Sequence, residues 1–206
     1  MRGIVEIDGL FWPEDDEHAR AAILRTVDDL DYIYRFVKAF DVAVQAGGNC
    51  GVWPKRMAEK FKVVYTFEPD ATNFACLARN VPEKNVIKMQ AALGNKHRML
   101  GMKRDKHNAG GHRMDRETPG IIPTLKIDDL GLPACDLIQL DVEGFEWFSL
   151  MGAVHTIDNF KPVIVVEDKK HWREFGLDAN TIPDFFKHLG YKEAGRINRD
   201  MVMVKK

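Results

Sequence analysis

Three short segments in a fixed order constrain this chain more than any bulk property. They are Val44-Gln45-Ala46-Gly47-Gly48-Asn49-Cys50-Gly51, then Phe67-Glu68-Pro69-Asp70, then Leu140-Asp141-Val142-Glu143-Gly144-Phe145-Glu146. Each sits where an apolar run stops. If residues 42–46 form a buried strand, Gly47 to Gly51 make the turn into the next helix, where a missing Cβ permits positive φ and lets backbone N–H groups approach a ligand. Glu68 follows Gly51 by seventeen residues, at the end of a second apolar run, and Pro69 fixes the backbone there. A carboxylate so placed accepts both hydroxyls of a ribose. Taken singly, the glycines also suit a tight structural turn, and Glu68 also suits a helix cap, although Asp70 is the better placed cap. Taken together they point to a βαβ unit that holds a nucleoside. The order Gly-Gly-Asn-Cys-Gly is not Gly-x-Gly-x-x-Gly, and no Gly-Lys-Ser/Thr follows it, so a dinucleotide or triphosphate is the weaker reading.

From Asp41 onward apolar runs alternate with helical segments, the pattern of a mostly parallel sheet covered on both faces. Strands are expected near 42–46, 63–67, 85–90, 136–141 and 162–167, and helices near 53–61, 70–80, 144–152 and 179–189. Residues 191–194 and 201–204, flanking Asn198-Arg199-Asp200, read as an antiparallel hairpin that ends the sheet. Before the core, residues 4–12 suggest a strand or hairpin. The stripe Ala19, Ala22, Ile23, Val27, Leu30, Ile33, Tyr34 and Val37 suggests one amphipathic helix. The 206 residues are thus expected to form a single domain: an N-terminal extension over 1–40 and a catalytic core over 41–206.

Charge excludes more than it suggests. Lys+Arg number 30 against Asp+Glu 31, a net charge of −1, so no global field steers the chain to nucleic acid or to an anionic membrane. Cys50, Cys76 and Cys135 form no Cys-x-x-Cys pair, which argues against a disulfide framework or a zinc site and for a reducing cytoplasm. No stretch resembles a signal peptide or a membrane span. Local basicity is confined to residues 96–116, within a stretch (95–128) whose glycines and prolines break every helical reading. Lys96, Arg98, Lys103, Arg104, Lys106, Arg113 and Arg116 lie there with His97, His107 and His112. An irregular excursion of that length is more often functional than filler, so it is expected to be either an acceptor-side lid suited to an anionic acceptor or a solvated loop.

These residues resemble the FkbM-type S-adenosylmethionine-dependent methyltransferases. The resemblance runs from about Asp41 to the C-terminus. It takes in the Gly47–Gly51 turn, Phe67-Glu68-Pro69 with Leu77 and Asn80, Thr124-Leu125-Lys126-Ile127-Asp128-Asp129-Leu130, Ile138 to Glu146, Gly152-Ala153, and Pro162 to Glu167. It implies a class I methyltransferase fold: a Rossmann-like three-layer α/β sandwich on a mostly parallel seven-stranded sheet with an antiparallel C-terminal hairpin. It further implies that Gly47, Gly48, Asn49 and Gly51 lie under the methionine part of the cofactor, that Glu68 and Pro69 hold the ribose, that Ala91 and Ala92 line the adenine, and that Asp141 faces the reacting centre. Two positions depart from the family pattern. Gln45 stands where Asp is usual, and Gln139 where Lys is common; Gln45 can still accept through its carbonyl.

Methyl transfer from a sulfonium is an in-line displacement, so alignment supplies most of the acceleration and a base is needed only for the proton of the attacking group. Asp141 and Glu143 are the candidate catalytic residues, with His112 the alternative base; Glu143 equally suits a turn residue. Asp141, Glu167, Asp168 and His171 form an oxygen-rich set that suits a divalent cation, a reading the spacing does not demand. The expected function is an O-methyltransferase acting on a hydroxyl of a small or carbohydrate-like acceptor. Two rivals remain: a nucleic-acid methyltransferase using the basic loop, which is not favoured, and a cofactor-binding module without catalysis.

Overall fold

Residues 2–169 and 171–206 are described by a computed structural model. Its strands are β1 (Ile4–Ile7), β2 (Leu10–Pro13), β3 (Val42–Ala46), β4 (Val63–Phe67), β5 (Val86–Met89), β6 (Ala92–Leu93), β7 (Arg98–Lys103), β8 (Arg113–Asp115), β9 (Ile122–Leu125), β10 (Leu137–Leu140), β11 (Val163–Glu167), β12 (Tyr191–Ile197) and β13 (Asp200–Lys205). The helices are α1 (Ala19–Thr26), α2 (Asp29–Tyr34), α3 (Val52–Ala58), α4 (Ala71–Asn80), α5 (Glu146–Met151), α6 (Val154–Phe160) and α7 (Thr181–His188).

Seven strands form the central sheet in the order β12-β13-β11-β10-β3-β4-β5. Neighbours from β5 to β11 pair in parallel, whereas β13 runs antiparallel to both β11 and β12. The expected C-terminal hairpin is therefore inserted with its last strand inside the sheet. The chain winds outward from β3 in both directions, so the turns after β3 and β10 diverge and leave a crevice at their carboxyl ends.

The central strands β3, β10 and β11 are buried on both faces, as a sheet covered by helices requires. One face packs Val44, Ile138 and Ile164 against Leu150, Ile157 and Phe186 of α5, α6 and α7. The other packs Ala43, Val64 and Leu137 against Leu30, Ile33, Met57 and Leu77 of α2, α3 and α4. Toward its carboxyl end this second face turns polar: Gln139 is in register with Gln45, and Gln45 with Thr66, all three buried.

Three expectations are corrected. The single helix over 19–37 is two, α1 and α2, broken at Val27–Asp28. The apolar period runs through the break, but the Thr26 hydroxyl bonds back to Ala22 O and the aspartates at 28 and 29 favour a new start. Helix α6 was not expected at all. Its first turn is capped from outside, Asp128 accepting from Thr156 N at 2.8 Å and His155 N at 3.2 Å. The excursion after β5 is no irregular loop: β6, β7, β8 and β9 build a second sheet in the order β6-β9-β7-β8. The hairpin β1–β2 lies on α4, with Phe11 exchanging hydrogen bonds with Asn80 and Trp12 buried beside Cys50 and Cys76.

Candidate active site at the carboxyl ends of the strands

A cavity of about 400 Å³ opens over the ends of β3, β4 and β10. All the cofactor-binding and catalytic candidates from the sequence except Gly51 contribute to its wall, whereas Asp168 and His171, weighed from the sequence for a cation, do not. Gly51 is a correction: it starts α3 at φ +92°, and a Cβ there would meet Val81 Cγ2 at 2.5 Å. Its freedom serves the packing of α3 on α4. Gly47 has φ +86°, and its Cβ would fall 2.0 Å from Asp141 O. The missing side chain lets the β3 and β10 turns touch, which is a different need from the close approach of a ligand.

Glu68 is 5% exposed and faces the cavity. Its Oε2 accepts from Asn49 N at 2.7 Å and its Oε1 from Asp70 N at 2.8 Å, so the carboxylate ties the glycine turn to the end of β4. A carboxylate offers about four lone-pair positions, so acceptor capacity remains for a ligand. Burial pushes this acid up to about 8, against the pull of the two backbone donors. Asp70 takes the capping role, accepting from Thr72 N and Asn73 N at the start of α4. It also binds Arg2 and Arg104, at 3.0 and 2.8 Å. Burial drives its carboxyl upward, but Arg104, Asn73 N and Arg2 outweigh that and hold it at about 2.

Beyond the glycine turn three carboxylates converge, with oxygens of Asp141, Glu143 and Glu167 within 4.8 Å of one another. Lys169 stands among them, its Nζ 2.7 Å from Glu143 Oε1 and 2.6 Å from Glu167 Oε1. That ammonium supplies positive charge where a cation was weighed from the sequence. Burial and the charge of Asp141 raise the Glu143 carboxyl, and Lys169 opposes them. Burial and the adjacent carboxylate of Asp141 push Glu167 up to about 10, with Lys169 opposing. Glu143 sits at φ +53° in the turn. The turn is held by Glu146, whose Oε1 accepts from Val142 N and Gly144 N, both at 3.1 Å.

The second sheet brings Asn108, Ala109, Gly110, His112 and Met114 to the cavity wall. None of its seven lysines and arginines lines the cavity. Arg113 pairs with Glu174 and Arg116 lies 4.3 Å over the Phe148 ring. The expected match of these residues to an anionic acceptor is thereby corrected, because none of the basic side chains reaches the space they were to serve. The His112 side chain is buried, and its Nδ1 accepts from Asp105 N at 3.1 Å. A neutral ring so held presents a hydrogen at Nε2, not the lone pair a base requires. Burial keeps this imidazole below its ordinary value, with Asp70 opposing.

Sequence reasoning missed Lys169, the α1 wall with Ala22 and Thr26, and Gln139 as a cavity residue. For Gln139 a signal was present: an amide inside an otherwise apolar buried strand marks a polar surface. Gln45 spends its Oε1 on Thr66 Oγ1 at 2.5 Å, whereas Gln139 Oε1 has no partner among the described residues. His112 Nε2 and Glu167 Oε2 are likewise buried and without a hydrogen-bond partner. Three orphaned polar atoms on one cavity wall fit a polar ligand.

Residues 41–193 match the family described as the methyltransferase FkbM domain. The chain belongs to the FkbM methyltransferase family. No curated protein matches it. The crystal structure of the FkbM methyltransferase from Methylobacillus flagellatus KT superposes with a TM-score of 0.51 at 15% identity, over 91% of this chain and 54% of that one. This FkbM-family chain thus spans about half the length of that relative. The magnesium protoporphyrin IX methyltransferase from Synechocystis PCC 6803 with bound SAH gives 0.51 at 13% identity, over 91% and 85%. A putative rRNA-methylase from Clostridium thermocellum gives 0.50 at 13%, over 85% and 93%. These likenesses establish the class I methyltransferase fold. No helix among the described residues is long and apolar enough to cross a membrane.

Proposed function

We propose that this FkbM-family chain is an S-adenosylmethionine-dependent O-methyltransferase that acts on a hydroxyl of a small or carbohydrate-like acceptor. One observation carries the reading: a single cavity has a buried, ribose-competent acid at Glu68 and a raised carboxylate at Glu143, with Asp141 between the glycine turn and the base. The orphaned polar atoms fit the nucleoside and amino-acid groups of the cofactor. Glu68 and Pro69 hold the ribose; Ala91 and Ala92 face the adenine; Gln45, Gly47, Gly48 and Asn49 line the methionine part. The bound cofactor supplies an electrophilic methyl group on a sulfonium.

Glu143 receives the proton of the acceptor hydroxyl on a carboxylate oxygen. Its raised proton affinity suits a base working near neutral pH. Lys169 keeps that carboxylate oriented through the 2.7 Å hydrogen bond. Asp141, at the end of β10, orders the acceptor beside it. Free, buried Cys50, Cys76 and Cys135 suit a reducing cytoplasmic setting. A nucleic-acid acceptor is the weaker reading, since the cavity wall beside Asp141 is carboxylate-rich and the seven basic side chains of residues 96–116 on which it rested do not line the cavity. Incubation with methyl-labelled cofactor and a panel of sugar and small-molecule alcohols tests the proposal. Labelled ether product is the expected result; tight cofactor binding with no transfer to any hydroxyl, or transfer to RNA alone, would overturn it.

A further inference from the structure

We infer that His112 is a nucleoside-binding residue whose Nε2–H donates to the adenosine part of the cofactor, and that the strap from Asp105 to His112 is the wall of that subsite. The inference rests on the cofactor reading above and goes beyond it, because it moves a residue of the excursion from the acceptor's side to the cofactor's.

The first observation is the state of the ring. A backbone N–H can only donate, so the 3.1 Å contact from Asp105 N makes Nδ1 the acceptor and leaves the hydrogen of the neutral imidazole on Nε2. The second is that this N–H has nowhere to go within the protein. The side chain is 4% exposed, and Nε2 lacks a hydrogen-bond partner among the described residues. Asp70 Oδ2 lies 4.0 Å away, beyond hydrogen-bond reach, and already accepts from Arg104 Nε at 2.8 Å. A buried donor left in that condition is a standing cost that a ligand acceptor relieves.

The third observation is the place of the strap. Ala109 O accepts from Asn49 Nδ2 at 3.1 Å and from Asn73 Nδ2 at 2.7 Å, while Ala109 N donates to Asp16 Oδ1 at 3.0 Å. Asn49 lies within the glycine turn and donates its own N–H to Glu68, and Asn73 is in the first turn of α4. The strap is therefore stitched to the elements that frame Glu68. His112 and Glu68 flank Asp70, one through the 4.0 Å approach and the other through the 2.8 Å bond from Asp70 N. An adenosine needs acceptors for its ribose hydroxyls and donors for its ring oxygen and purine nitrogens. Glu68 is of the first kind and His112 Nε2–H of the second.

Calorimetric titration with S-adenosylhomocysteine and with 5′-methylthioadenosine tests this, because the two share the nucleoside and differ in the amino-acid tail. His112→Asn keeps an acceptor for Asp105 N but has nothing at the Nε2 position; His112→Gln places an amide N–H there. His112→Asn is expected to weaken both ligands by about tenfold with an unchanged melting temperature, and His112→Gln to recover most of the loss. Affinities of His112→Asn within twofold of wild type for both ligands would overturn the assignment. So would a loss confined to S-adenosylhomocysteine, which would put His112 at the amino-acid tail. If wild type binds neither nucleoside, the cofactor reading itself fails, a result distinct from a wild type that binds and a variant that binds equally.

Discussion

Glu68 does two things that a single sequence position rarely reveals: it stitches Asn49 to Asp70 through their backbone N–H groups, and it shows its remaining lone pairs to the cavity. Burial raises its carboxyl to about 8, so ionisation of Glu68 is expected to become easier as the pH approaches that value. Ribose hydroxyls donate to the ionised form, so binding drives a proton off. Affinity for S-adenosylhomocysteine is therefore expected to rise from pH 6 to about 8 and then level, with proton release visible as a buffer-dependent calorimetric enthalpy. A flat profile would remove the carboxylate from the ribose. Glu68→Ala is expected to abolish measurable binding while circular dichroism stays native. At the other end, Glu143→Gln should lower kcat by about 10²-fold or more with cofactor affinity unchanged, measured on any acceptor that turns over. Lys169 holds the Glu143 proton affinity down. Lys169→Met should accordingly shift the pH–rate profile toward higher pH.

At the scale of elements, what decides helix starts here is where the first N–H groups find acceptors. Helix α4 was legible because its cap, Asp70, is adjacent in sequence; α6 was not, because its cap is Asp128, in a different part of the chain. Losing such a cap costs about 1 kcal/mol. Asp128→Ala should lower the melting temperature by a few degrees in a chain of this size. Asp70 allows a test by pH. Its carboxyl is held at about 2, below the ordinary 3.8, so its stabilising contribution is present above pH 4 and is lost as the pH falls toward 2. The difference in melting temperature between wild type and Asp70→Asn is expected to be constant from pH 7 to 5 and to shrink below 4. A difference that grows on acidification would contradict the assigned ion pairs.

Over the whole molecule, the N-terminal extension is part of the site's support. Trp12 is 1% exposed against Cys50 in the glycine turn and Cys76 in α4, and α1 closes the cavity with Ala22 and Thr26. Trp12→Ala should cost about 3 to 5 kcal/mol, lowering the melting temperature by roughly 10 °C, and should weaken nucleoside binding because the turn loses its backing. A fall in stability with binding untouched would separate the extension from the site.

Wherever a residue's partners lie close in the chain, its role could be read from sequence. The strand–glycine–helix turn, the acid ending β4, the Asp141–Glu146 turn and the terminal hairpin all arise from local periodicity and backbone chemistry, and with them came the fold class. The Lys169–Glu143 pair, the outside cap on α6 and the β9 pairings of the second sheet span tens of residues, and the burial that orphans His112 Nε2 is likewise set by the fold. Such pairings leave no period in the chain, because a side chain's partner in space is set by the crossing of strands and not by its neighbours in order. Only the folded sheet brings those groups together, and only there does the excursion prove to keep its lysines and arginines off the cavity wall and to place His112 on it.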